Sequence, residues 1–273
     1  MNPGIKFPPS LMYWIDFLLA MTEKEIKTRY KQAFFGFLWI FLNPLLQMLV
    51  MGFIFQFFVP VHIDNYFLFL FAGLLPWNFF SQSLTKSTPS FCYERNLIKK
   101  AKFPRETIVL SIVLSNFFHF LVSMVILIIF ISLINLLNFQ ESINFLNQQL
   151  LIKLIILILS SLVLLFFTSF LSLFTASLQV KYRDINFIIQ VVVTILFYAT
   201  PIIYTLDLIP ENFHFLFYLN PLTPIIQLFH YSLLNISLTI NPYYLISFLI
   251  IIITFFIGLW TYQKENKDFD DWF

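Results

Sequence analysis

Arg95-Asn96-Leu97-Ile98-Lys99-Lys100-Ala101-Lys102-Phe103-Pro104-Arg105-Glu106 is a dense basic stretch set between two long apolar runs. With Lys86 it holds six of the sixteen Lys and Arg residues of the chain. A short segment this positive resists translocation and stays on the cytoplasmic side of a bilayer. It therefore orients every apolar run around it. It is also the largest cytoplasmic feature expected between spans, and so the place where a soluble partner would push.

Composition demands a bilayer. The 273 residues are 59% hydrophobic and 11% charged, with a mean hydropathy of +0.84, whereas soluble domains carry about 25% charged residues. Several runs exceed the roughly 20 residues needed to cross the hydrocarbon core. The first 33 residues are amphipathic and contain Asp16, Glu23 and Glu25. No cleavable signal peptide is expected there. Cys92 is the only cysteine, which excludes an internal disulfide and a multi-cysteine metal centre.

The sequence predicts an all-α polytopic membrane protein, one transmembrane domain over residues 1–273. Residues 10–33 place Leu11, Trp14, Ile15, Leu18, Leu19 and Ile26 on one helical face, the pattern of a helix in the cytoplasmic interface. Six spans follow, at about 34–59, 66–84, 107–137, 150–178, 185–204 and 242–262, with the cytoplasmic loop at 85–106. Between spans five and six, Pro210, Pro221 and Pro224 cut residues 205–241 into pieces too short to cross. They read as re-entrant or interfacial outer helices, tolerated at depth where protein covers the backbone. On this topology both termini are cytoplasmic and fifteen of the sixteen basic residues lie inside. The exception, Lys153, sits one turn into span four and can snorkel to the surface.

What the spans lack narrows the function. Ion-coupled transporters need ionisable groups at depth, yet the span interiors contain no Asp, Glu or Arg, and His119 is the one titratable group well inside. Among Phe117, Phe118 and Phe120 it reads as a hydrogen-bonded packing residue. Paired carboxylates, nucleophile–base spacing and a Gly-x-x-x-x-Gly-Lys phosphate loop are all missing. The chain is not expected to be an enzyme, to hold a cofactor or metal, or to bind nucleic acid. Energy for uphill movement would have to arrive from a partner. Thr168, Ser172 and Ala176 recur at i, i+4 and i+8 on span four, small-residue spacing that brings helices close, within the chain or across a homodimer.

Three stretches carry a resemblance. Arg29-Tyr30-Lys31-Gln32 with Gly36-Phe37-Leu38-Trp39 and Asn43-Pro44-Leu45 resembles the entry to the first span in permease subunits of polysaccharide-exporting type 2 ABC transporters, the exporters of O-antigen, capsule and teichoic acid. Gly73-Leu74-Leu75-Pro76-Trp77-Asn78-Phe79-Phe80 resembles the second span of that family, and Asn96–Lys100 with Phe103–Glu106 its following loop. Tyr182-Arg183-Asp184, Pro201-Ile202-Ile203-Tyr204 and Leu219-Asn220-Pro221-Leu222 are similar to its last third, in order and spacing. The resemblance implies a homodimer in the bacterial inner membrane, driven by two copies of a separate ABC ATPase that binds the ATP and Mg. The cargo would be a lipid-linked polysaccharide, with undecaprenyl-diphosphate-linked O-antigen first and teichoic acid or capsule behind it.

Read residue by residue, the resemblance makes Arg95, Asn96, Leu97, Lys99, Lys100, Phe103, Pro104 and Arg105 the ATPase-coupling surface; orientation and attraction to anionic lipid account for the charges as well, while coupling better explains the rigid kink of Phe103-Pro104. Arg29, Tyr30 and Lys31 would contact the lipid diphosphate, or else serve as snorkelling anchors. Aromatic rings that stack on sugar faces would line the channel, with Trp39, Phe53, Phe57, Trp77, Tyr198 and Tyr204 as candidates; interfacial belt residues are the alternative. Glu211, His214 and His230 read as surface groups, and the tail Lys264–Phe273 as solvated or touching the ATPase. From a different class, the rival is an ATP-independent channel or scaffold.

Overall fold

The computed structural model describes residues 11–31, 36–58, 63, 65–100, 103–137, 149–234, 236 and 241–266. Residues 32–35, most of 59–64, the stretch 138–148 and the tail beyond 266 lie outside the described residues, as does the side chain of Phe57.

The described residues are mostly helical, with no strand among them. Helix α1 (Leu11–Tyr30) precedes a 3-10 turn (Gly36–Leu38), α2 (Trp39–Phe58) and α3 (Tyr66–Ser87). Two short helices, α4 (Ser90–Tyr93) and α5 (Arg95–Lys100), form the basic loop. Then come α6 (Glu106–Leu137), α7 (Gln149–Lys181), α8 (Ile185–Tyr198), α9 (Glu211–Tyr218), α10 (Leu222–Leu234) and α11 (Tyr244–Glu265). Five helices (α2, α3, α6, α7 and α11) are long and apolar enough to cross a membrane.

Helix α8 departs from the expected span 185–204. It stops at Tyr198, after 14 residues or about 21 Å. Pro201 lacks the N–H that would continue the ladder, and it biases Thr200 away from helical geometry. Pro210 caps α9, and Pro224 falls in the first turn of α10, where a missing N–H costs nothing.

Helix α3 is the central pillar. It is buried on nearly every face, and α2, α6, α7, α8 and α10 pack around it. Gly73 lets α10 approach: a Cβ there would meet His230 Nε2 at 3.0 Å. The His230 ring stacks on Phe69 and donates from Nε2 to the Phe69 carbonyl at 3.1 Å.

Helix α7 packs most extensively on α11. Thr168, Ser172 and Ala176 are fully buried, so the small-residue stripe serves an intrachain seam. Where α11 meets another face of α7, Gly258 faces the Phe170 backbone, and an added Cβ would lie 2.5 Å from the carbonyl oxygen.

A second core closes the end of the bundle that carries the basic loop, built from Met21, Phe91, Ile98, Ile108, Leu173 and Tyr262 among others. Glu106 ties it together. Its carboxylate accepts from Trp14 Nε1 at 3.0 Å and from the Tyr262 hydroxyl, while its own N–H donates to that hydroxyl at 3.0 Å.

Gly258→Val forces the α7 and α11 backbones apart at a contact that no rotamer relieves. We expect a loss of about 1–3 kcal/mol, read as a lower thermal midpoint of the detergent-purified protein; an unchanged midpoint would show the seam to be loose.

Candidate functional site

A polar cavity of about 410 Å³ opens between α1, α2, α3 and α6. Sequence-local rules place its walls. On α3, Asn78, Gln82 and Lys86 recur every four residues and line one stripe. On α6, Asn116, His119 and Ser123 repeat at i, i+3 and i+7 and face it. α2 adds Trp39 and Asn43, and α1 adds Arg29 and Tyr30. No Asp or Glu is among the lining residues.

Arg29 is the organising group. Its two terminal nitrogens donate to His119 Nδ1 and to Asn116 Oδ1. These contacts, with Trp14–Glu106 at the other end of α1, align α1 alongside α6. Burial lowers the Arg29 pKa from its ordinary value, opposed by Tyr30 and Glu25; a guanidinium stays charged regardless. Burial raises the Tyr30 phenol, opposed by Arg29. The Tyr30 ring meets His119 edge-on, with centroids 5.4 Å apart.

The contact fixes the His119 tautomer. A guanidinium only donates, so Nδ1 must be the unprotonated acceptor, and the neutral ring carries its proton on Nε2. That Nε2–H is buried with no hydrogen-bond partner, and so is the Asn116 Nδ2 amide. Both residues line the cavity, and buried donors without partners are costly and uncommon. The lining thus combines two cations, Arg29 and Lys86, which Glu25 attracts from outside it, and two buried donors without partners stand in its wall. Like charges facing one space repel until an anion enters it. Such a lining suits an oxyanion better than a cation.

A proline opens the α2 wall. Pro44 has no N–H for the Ile40 carbonyl, and Ser123 Oγ of α6 donates to that oxygen at 3.4 Å. Asn78 Nδ2 donates to Gln47 Oε1 at 2.9 Å, joining α2 to α3.

The residues singled out from the sequence are partly brought together. Arg29, Tyr30 and Trp39 share the cavity, while Lys31 is exposed at the end of α1 and does not line it. Phe53 and Tyr198 are exposed. Trp77 is a correction: it is buried in the core, 5.4 Å from Phe197 and 5.7 Å from Phe80, because the α3 pillar is wrapped on the side where α8 packs. Tyr204 donates to the Tyr198 carbonyl at 2.7 Å and borders a separate small cavity with Asp207, His214 and His230. His214 and His230 each bond to backbone carbonyls; His230 is buried, not a surface group. Lys86, Asn116 and His119 were not among the expected binding residues, although their polar spacing on apolar helices is a readable signal.

In the basic loop Arg95, Asn96, Lys99 and Lys100 are exposed, while Leu97, Ile98 and Phe103 pack into the second core. Phe103 lies 4.9 Å from Phe17. Pro104 leads into α6, its carbonyl accepting from the Thr107 N–H at 3.1 Å. Arg105 donates to the Asn266 carbonyl at 3.1 Å. Lys24 pairs with Glu94 at 2.7 Å, so α1 and the loop form one unit.

Residues 17–234 match the model of the ABC-2 type transporter family. The chain is 34% identical over 270 residues to an O-antigen export system permease protein RfbA of Klebsiella pneumoniae, covering 97% of this chain and 98% of that protein. A second K. pneumoniae protein of the same name is 33% identical over 266 residues, 97% and 98% of the two chains. One from Myxococcus xanthus is 29% identical over 208 residues, 76% and 75% of the two chains.

Asn116→Leu strands a guanidinium donor in a buried site and is expected to cost about 1–3 kcal/mol. Asn116→Asp keeps an acceptor for Arg29 and should melt at or above the parent. Equal melting of the two variants would mean that the Arg29–Asn116 contact does not form.

Proposed function

Since the chain belongs to the ABC-2 type transporter family, we propose that it is the membrane subunit of an exporter of lipid-linked polysaccharide in the bacterial inner membrane. The cargo of this reading is O-antigen on undecaprenyl diphosphate, as the names of its relatives favour. A separate ABC ATPase, two copies on a homodimer of this chain, supplies the energy and holds the ATP and Mg. The observation that carries the reading is the cationic cavity: Arg29 and Lys86, with the unpartnered buried donors of Asn116 and His119 in its wall, suit the diphosphate of the carrier lipid.

The topology of this reading has six crossings and both termini in the cytosol. Helix α8 with the non-helical stretch 199–205 makes the fifth crossing, and α9 and α10 form the re-entrant outer segment. The exposed cations of α5 meet the ATPase. Its stroke would reach α1 through Lys24–Glu94 and Phe17–Phe103, and α1 carries Arg29 at its far end.

Two experiments test this. An ABC ATPase should co-purify with the chain, and Arg95→Glu with Lys100→Glu should cut the complex's transport by tenfold or more without loss of assembly; full transport would sink the coupling role. Arg29→Gln with Lys86→Gln should likewise abolish surface delivery of the glycan at normal protein level, whereas Lys31→Gln should have little effect. Unchanged delivery from the double variant would remove the diphosphate site.

A further inference from the structure

Gln179, close to the end of α7, is a long polar side chain buried to 6% exposure. Both ends of its amide act across the turn into α8. Nε2 donates to the Arg183 carbonyl at 3.0 Å, and Oε1 accepts the Asn186 N–H at 2.7 Å. Asp184, at the N-cap of α8, makes no side-chain cap bond. The first N–H groups of a helix need an acceptor from outside its own ladder. Here a residue of the preceding helix supplies it.

The same residue stands against the basic loop. Its carbonyl lies 3.9 Å from Cys92 Sγ of α4, a long thiol contact. One turn earlier, Thr88 Oγ1 at the end of α3 donates to Thr175 Oγ1 of α7 at 3.0 Å. Phe91 of α4 is fully buried in the core that also holds Leu173, Ala176 and Val180 of α7. Burial raises the Cys92 thiol pKa and Arg183 opposes it, so the α7–α8 turn also lies beside α4. Helix α4 and the last turns of α7 are one packed body.

Helix α8 is held more loosely. None of its residues is buried within the protomer. Its outer end is fixed, since Phe197 meets Trp77 at 5.4 Å and Thr200 accepts from Asn220 Nδ2 at 2.7 Å. At the other end Tyr182-Arg183-Asp184 alone connect it to α7. A connection that short passes on a pull but leaves the angle between the helices open. One Gln179 bond reaches the turn and the other reaches the first turn of α8, and together they close that angle.

We propose that Gln179 is a positioning residue for transport: it locks α8 to α7, so that displacement of α4 turns α8 against its fixed outer end. The inference rests on the coupling reading of the basic loop, and adds to it a second route beside the one through α1.

The test follows surface delivery of the glycan in cells, and basal ATP hydrolysis by the complex of this chain with its ATPase in nanodiscs. Gln179→Leu removes both bonds at nearly constant volume. Delivery is expected to fall about tenfold, while the ATPase co-purifies and hydrolyses ATP as with the parent. Gln179→Glu keeps an acceptor for the Asn186 N–H and should restore most of the delivery. Amide exchange over residues 185–187 should quicken in Gln179→Leu and not in Gln179→Glu. Parental delivery from Gln179→Leu overturns the inference, and so does exchange at the parent's rate. Hydrolysis and protein level that fall in step with delivery overturn it too, since they mark a general folding defect. If Gln179→Leu delivers as the parent does while Arg95→Glu with Lys100→Glu blocks delivery, the α8 route is wrong and the coupling reading survives. If the Arg95/Lys100 variant delivers normally, coupling through the basic loop fails and this inference falls with it.

Discussion

Lipid offers the peptide backbone no hydrogen-bond partner, so every carbonyl at depth must be answered from within the protein. Regular helix does this for most of the chain, and prolines create the exceptions. Several of these exceptions are met by a side chain from a neighbouring helix or by the local chain. Ser123 reaches the Ile40 carbonyl that Pro44 leaves open. Tyr66 donates to the Ile203 carbonyl at 2.9 Å, in the broken stretch after α8. Asn220 donates from Nδ2 to Thr200 Oγ1 at 2.7 Å and accepts the Leu222 N–H at 3.0 Å, holding the turn into α10. The positions of α2, α8 and α10 against the α3 pillar follow from these repairs as much as from apolar packing.

The same constraint explains why the cavity stands out. Elsewhere many serines and threonines turn back onto their own helix carbonyls, as Ser161, Ser169 and Thr254 do, while the hydroxyls of Ser83, Ser115, Thr168 and Ser172 are buried without a partner. Around Arg29 the polar groups point at one another across α1 and α6 and still leave donors over.

Much of this was legible before any coordinates. The α6, α7 and α11 helices begin and end within about three residues of their hydropathy limits, because twenty or more apolar residues leave a chain no other stable choice. The early end of α8 was legible too, in Thr200-Pro201, yet hydropathy continues through it and hid it. The Asn78/Gln82/Lys86 and Asn116/His119/Ser123 stripes can be read from spacing alone. Their meeting cannot, since it depends on how α1 lies against a helix ninety residues away. Trp77 failed for the opposite reason: an aromatic ring looks the same in a sequence whether it faces a channel or a core.

The Glu106 junction carries a consequence for how the chain is made. Trp14 comes early from the ribosome, Glu106 in the middle and Tyr262 near the end, and Arg105 reaches Asn266. The start of α6 therefore acquires its final set of partners only after the carboxy-terminal helix has been made. Until then it rests on an incomplete base. Insertion and tertiary closure are separate events in this protein, and the second waits for translation of the whole bundle.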